Sequence, residues 1–171
     1  MRKIIVFFMA LMLALPAVSM ARFQAGDKEF TLSGSGTSDN DFDNNTFNVD
    51  FGLGYFFSDM LEGILRQQAG FIARDNASDD WNASTSIGLA LNFPFDNWVP
   101  FLGATIGYIY GDNVDETWHA APEVGLKAFV NPTTFVQALV QYQFFFDNMD
   151  EAEDTFDDGR FVYGLGIGFR W

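Results

Sequence analysis

The stretch from Phe161 to Trp171 constrains the fold of this chain more than any other. One set of alternate positions reads Phe161, Tyr163, Leu165, Ile167, Phe169 and Trp171. The other reads Val162, Gly164, Gly166, Gly168 and Arg170. Alternate side chains of a β-strand point to opposite faces. One face is therefore broad, apolar and aromatic at both ends, while the other is nearly bare. A soluble sheet would carry Lys, Glu and Thr on its non-core face. This pattern fits a strand whose large face meets lipid and whose small face meets a crowded barrel lumen.

Seven other segments alternate in the same way. The first, near Lys28 to Thr37, sets Phe30 and Leu32 against Thr31, Ser33 and Ser35. The second sets Phe47, Val49, Phe51, Leu53 and Tyr55 against Asn48, Asp50, Gly52 and Gly54. The third, near Leu61 to Arg74, is mixed. The phase that turns Leu61, Leu65, Ala69 and Phe71 to lipid also turns Gln67 there. The opposite phase would expose Glu62, Arg66 and Arg74, and an Arg at the bilayer midplane costs roughly 2–4 kcal/mol, so the first phase is preferred. The fourth presents Ile87, Leu89, Leu91 and Phe93, and the fifth Leu102, Ala104, Ile106, Tyr108 and Tyr110. The sixth presents Trp118, Ala120, Val124 and Leu126, with His119, Glu123, Gly125 and Lys127 behind them. The seventh presents Val136, Ala138, Val140, Tyr142 and Phe144, with Gln137, Gln141 and Gln143 behind. The predicted fold is all-β: an eight-stranded antiparallel transmembrane up-and-down β-barrel. Pro122 removes a ladder donor in the sixth strand, and a local bulge is expected there.

The connections alternate in character. Ser58-Asp59, Pro94 to Trp98 and Asn131-Pro132-Thr133 are tight and rich in turn residues. Asp39 to Asn45, Asp75 to Asp80, Gly111 to Thr117 and Asp147 to Asp158 are longer and polar. Short periplasmic turns and long outer loops are the asymmetry of transmembrane barrels. Tyr55, Phe57, Phe93, Trp98, Phe169 and Trp171 gather at the turn end. Phe47, Trp81, Tyr108, Tyr110, Trp118, Phe144 and Phe146 gather at the loop end, forming two interfacial girdles.

The N-terminus fits export. Arg2 and Lys3 precede an apolar run from Ile4 to Leu15, Pro16 breaks it, and Ser19-Met20-Ala21 offers small residues to a signal peptidase. Residues 1–21 are read as a cleaved signal peptide and residues 22–171 as the barrel domain. With no Cys in the chain, disulfides cannot hold an exported domain together, whereas a closed backbone hydrogen-bond network can. A formal charge of −14 argues against nucleic-acid binding.

The charges sort by place. The four outer loops hold 16 of the 23 acids. Glu29, Asp50, Glu62 and Glu123 face inward, against the inward bases Arg66, Arg74, Lys127 and Arg170. Eight strands enclose a space just wide enough for side chains, and buried charges persist only when paired and hydrogen-bonded. These residues are read as a structural ion-pair network, with Arg66 or Lys127 the partner of Glu123.

Chemistry is sparse. His119 is the only histidine, and a Ser-His-acid site would need Ser84 or Ser86 within reach of it. No catalytic residue, cofactor site or dedicated metal site is assigned. Asp39, Asp41 and Asp43 mimic the opening of a calcium loop, but Asn44 replaces the glycine and Asp50 the final Glu. Weak divalent-cation candidates are these three with Asp147, Asp150, Glu151, Glu153, Asp154, Asp157 and Asp158. Three Asn-X-Ser/Thr sequons, at Asn44, Asn76 and Asn82, are chance matches if the protein is bacterial, as the barrel pattern implies.

Tyr163 to Trp171, the Pro100-Phe101-Leu102-Gly103-Ala104 strand opening, and the hairpin from Pro122-Glu123-Val124-Gly125-Leu126-Lys127 to Tyr142 carry a resemblance. The chain resembles the small outer-membrane barrels of the OmpA, OmpX and OmpW type, without the peptidoglycan-binding domain of full-length OmpA-type proteins. The resemblance implies a monomer in the bacterial outer membrane, in contact with lipid and lipopolysaccharide. It also implies that Tyr163, Leu165, Ile167, Phe169 and Trp171 form the signal read by the barrel-assembly machinery, with Trp171 where that signal usually ends in Phe. The expected function is non-enzymatic, a structural role in envelope integrity or a surface interaction. The alternatives are a narrow channel for small solutes and an envelope-lipid-modifying enzyme.

Overall fold

The computed structural model of the protein describes residues 22–38, 45–72, 80–111, 116–146 and 159–171. Eight strands follow one another: β1 (Lys28–Ser38), β2 (Asn45–Phe56), β3 (Leu61–Ile72), β4 (Asp80–Asn92), β5 (Trp98–Gly111), β6 (Thr117–Asn131), β7 (Thr134–Phe146) and β8 (Arg160–Arg170). Each pairs antiparallel with its sequence neighbour, and β8 returns to β1 through Glu29↔Arg170 to Gly36↔Tyr163. The barrel is closed, so no strand edge is left unpaired.

The alternation read from the sequence sets the two faces. Ile87, Leu89, Leu102 and Leu165 are each more than half exposed on the outer wall. Asn48, Asp50, Ser86, Thr105, Gln137 and Gln141 are buried inside. Apolar outside and polar inside is the inverse of a soluble barrel. β8 explains its own bare face: a Cβ at Gly168 would overlap the Phe135 ring. Gly166 likewise leaves room for Ser33 of β1.

Turn chemistry closes one end. Asn131 Oδ1 accepts from the backbone N–H groups of Thr133 and Thr134 at 2.9 and 2.8 Å, an Asx turn that lets β6 reverse into β7 in two residues. Ser58 Oγ caps the β2–β3 turn, accepting from Leu61 N at 3.0 Å. Asp96 takes a left-handed φ of 52° between β4 and β5, a conformation Asp tolerates better than most residues.

Pro122 does not produce the expected bulge. The β6–β7 ladder is interrupted beside it, yet Ala120↔Phe144 and Glu123↔Gln141 keep one register across the gap. Proline forfeits a single donor, and closure of the other ladders holds the strand in line. The register shift lies instead between Phe129 and Asn131, next to the turn.

Gln67 does face outward, and the wall accommodates it. Thr85 Oγ1 donates to Gln67 Oε1 at 2.7 Å, and Gln67 Nε2 lies 3.2 Å from the Tyr110 hydroxyl. Gln67↔Thr85 is a cross-strand pair, so an amide turned toward lipid carries its partners with it.

Candidate functional site

The interior is built in levels from the turn end to the loop end. At the bottom, residues 22–27 fold under the barrel. Gly26 N donates to Phe56 O at 2.8 Å, Phe56 N to Asp27 O at 2.9 Å, and Lys28 exchanges two 3.0 Å bonds with Trp171. Gly26 makes the bend with φ 93°, a left-handed conformation suited to glycine. This drives Phe23 into the mouth. Its ring stacks on Phe56 at 4.0 Å and meets Phe129 and Phe135 edge-on at 5.3 and 6.0 Å. With Val99 these rings form a fully buried apolar floor.

Arg170 belongs to this floor rather than to the inner network expected for it. Its Nε donates to Pro132 O at 2.8 Å, and its Nη1 to Asp27 Oδ2 at 3.0 Å and to Arg22 O. The alternation gives its direction correctly. Its position as the last residue of β8 puts it at the rim, where the 22–27 segment supplies partners.

Lys127 lies directly above. Its Nζ is 2.7 Å from Glu29 Oε2 and 2.8 Å from Glu62 Oε2. Asn92 Nδ2 donates to the same Glu62 oxygen at 2.9 Å. Four phenyl rings, of Phe23, Phe101, Phe56 and Phe135, surround the ammonium with centroids 5.0 to 5.6 Å away. An ammonium over ring faces gains cation–π attraction, more so when desolvated, and Lys127 is only 2% exposed.

The next level joins the same two strands with the charges exchanged. Arg66 of β3 bonds Glu123 of β6 through both guanidinium nitrogens, at 2.8 and 3.4 Å. Gln141 Nε2 adds a bond to Glu123 Oε2 at 2.7 Å. Of the two candidate partners for Glu123, the geometry selects Arg66. Asp50 sits close by, hydrogen-bonded by Ser35 and Gln68.

Toward the loop end, His119 and Ser86 flank Gly107, where a Cβ would fall 2.5 Å from the imidazole and 2.6 Å from Ser86 Cβ. The buried His119 Nδ1 has no partner among the described residues. Among the described residues, the charged groups acting on it are Arg160 and Arg66, both cations, and none supplies the carboxylate that orients the histidine of a serine hydrolase. Arg160, exposed at the loop-end mouth and not singled out by the sequence reading, donates to Gln143 at 3.0 Å and lies over the Phe145 ring at 4.9 Å.

Among the described residues, two cavities between these levels, of about 10 and 20 Å³, each have room for about one water molecule. The outward residues Tyr163, Leu165, Ile167, Phe169 and Trp171 form one exposed ridge along β8. Arg74 lies outside the described residues. So do Asp39, Asp41, Asp43, Asp147, Asp150, Glu151, Glu153, Asp154, Asp157 and Asp158.

No family model and no curated protein matches the sequence. Solved structures do match the fold. The N-terminal β-barrel domain of Pseudomonas aeruginosa OprF superposes with a TM-score of 0.62 at 18% identity, covering 86% of this chain and 98% of that one. The outer membrane protein OprG of the same organism gives 0.60 at 13% identity, covering 89% and 99%. Neisserial surface protein A gives 0.60 at 13% identity, covering 86% and 96%. The fold is that of the small eight-stranded transmembrane barrels of bacterial outer membranes.

Proposed function

We propose that this chain is exported, cleaved after Ala21 and inserted in a bacterial outer membrane as a non-enzymatic monomer whose interior is structural and whose outer loops meet its partners. One observation carries this reading: the lumen is filled and floored. Phe23 and its neighbours close the turn end, two ion-paired levels cross the middle, and the described interior cavities there hold about one water each. A filled lumen gives a solute no path and a substrate no pocket. The chemistry offered to other molecules then falls to the lipid-facing wall and to the loops.

On this reading the wall contacts lipid and lipopolysaccharide, and the β8 ridge ending at Trp171 presents the assembly signal. The acidic loops, three acids between Asp39 and Asp43 and seven between Asp147 and Asp158, bridge to anionic lipopolysaccharide or other surface groups through divalent cations bound weakly by carboxylate oxygens. That the neisserial barrel is named a surface protein is in keeping with a working face at the loop end.

The test separates loops from lumen. In a strain lacking the protein, one complementing variant has the four long loops trimmed to short turns, and a second has Arg66→Met with Glu123→Leu. The reading expects the loop-trimmed barrel to assemble without restoring envelope integrity or surface binding, and the lumen variant to restore both. The opposite result would move the function into the lumen and favour a channel or an enzyme.

A further inference from the structure

Below His119 the described lumen holds four carboxylates, Glu29, Asp50, Glu62 and Glu123, and two bases, Arg66 and Lys127. Both bases are engaged. Lys127 is shared between Glu29 and Glu62, and Arg66 is held by both nitrogens on Glu123. Buried negative charge without compensation is costly, and hydrogen bonds from neutral groups only partly offset it. A cavity of about 10 Å³ sits between these groups, lined by Glu29, Thr31, Glu62, Gln137, Arg66 and Lys127 among others. Glu62 and Gln137 each carry a buried oxygen, Oε1, with no hydrogen-bond partner among the described residues. Glu62 is 1% exposed and Gln137 5%.

We propose that this cavity holds one alkali-metal cation, Na⁺ or K⁺, captured as the barrel closes. Carboxylate, amide carbonyl and hydroxyl oxygens are the hard ligands such an ion takes, and Glu62, Glu29, Gln137 and Thr31 supply all three kinds. The space admits one particle of about the size of water. A water there would satisfy the two orphaned oxygens but leave the charge unbalanced; a cation does both. Lys127 and Arg66 oppose its entry, but two carboxylates flank the first and Glu123 and Asp50 lie by the second, so the sum of the surrounding charges is negative. The ion completes the lower level of the lumen and locks β1, β3 and β7 around it.

Two measurements test the site. Full-length mature barrel is refolded in detergent in NaCl, KCl or N-methylglucamine chloride at equal ionic strength, and its urea midpoint is read. The midpoint should be higher in an alkali salt than in N-methylglucamine. Glu62→Gln and Gln137→Leu should each abolish that difference. Crystals of the unaltered protein grown with thallium(I) should then show an anomalous peak between Glu29, Glu62 and Gln137. An ordered water with no anomalous signal would overturn the proposal. So would midpoints equal in all three salts, which would assign the missing positive charge to a proton on the Glu29–Glu62 pair.

Discussion

Glu62 and Arg66 stand four residues apart on β3, and their partners Lys127 and Glu123 stand four apart on β6. The strands run in opposite directions, so the acid lies under the base on β3 and the base under the acid on β6. At about 3.3 Å per residue the two levels are roughly 13 Å apart measured along each strand. Each joins strands three apart in the barrel order, which backbone pairing never brings together. The ion pairs therefore brace the cylinder across its interior, while the ladders hold it around its circumference.

The brace predicts unequal outcomes for single and double changes. Glu123→Ala leaves Arg66 buried beside an empty space and should cost about 3–5 kcal/mol, read as a lower urea midpoint in lipid vesicles. Arg66→Met combined with Glu123→Leu should recover most of that loss, because apolar groups carry no desolvation penalty. Stability unchanged in Glu123→Ala would show that Glu123 is solvated.

Phe23 should act as a cork. Its ring fills the floor against Phe56, Phe129 and Phe135 and covers the Lys127 ammonium at 5.0 Å. Phe23→Ala should cost about 3–5 kcal/mol, as for other buried aromatic truncations. It should also make Lys127 reactive toward a small water-soluble amine reagent that labels only the exposed Lys28 and the N-terminal amine of the unaltered protein. Equal labelling of Lys127 itself in both proteins would mean that the floor opens without help.

Gln67 gives a prediction of opposite sign. Tyr110→Phe removes a bond from the lipid-facing amide and should destabilise by about 0.5–2 kcal/mol. Gln67→Leu removes the polar group itself and should be neutral or stabilising. A large loss from Gln67→Leu would give this amide a role in packing that the geometry does not contain.

Much of this was legible in the sequence because lipid punishes error. A one-residue slip turns every side chain to the other face, and in β3 the cost of exposing Glu62 and Arg66 decided the phase in spite of Gln67. Alternation reports direction but not level. It sent Arg170 inward without saying that the last residue of a strand meets Asp27 at the rim. It could not choose between Arg66 and Lys127 for Glu123, since that depends on the registers of three intervening ladders. The Phe23 floor had a weaker signal. Val99, Phe129 and Phe135 all sit at inward positions near strand ends, an apolar cluster in an otherwise polar lumen that asks for a lid. The overlooked Arg160 opens β8 at the mouth, one step before the alternation was read as beginning.

Planar-bilayer recording tests the closed lumen most directly. The unaltered protein, refolded and inserted at single-molecule density, should raise no discrete conductance steps, because the Phe23 floor and the two braced levels leave no continuous water path. Long-lived steps of uniform size from the unaltered protein would contradict the account and make the interior a channel.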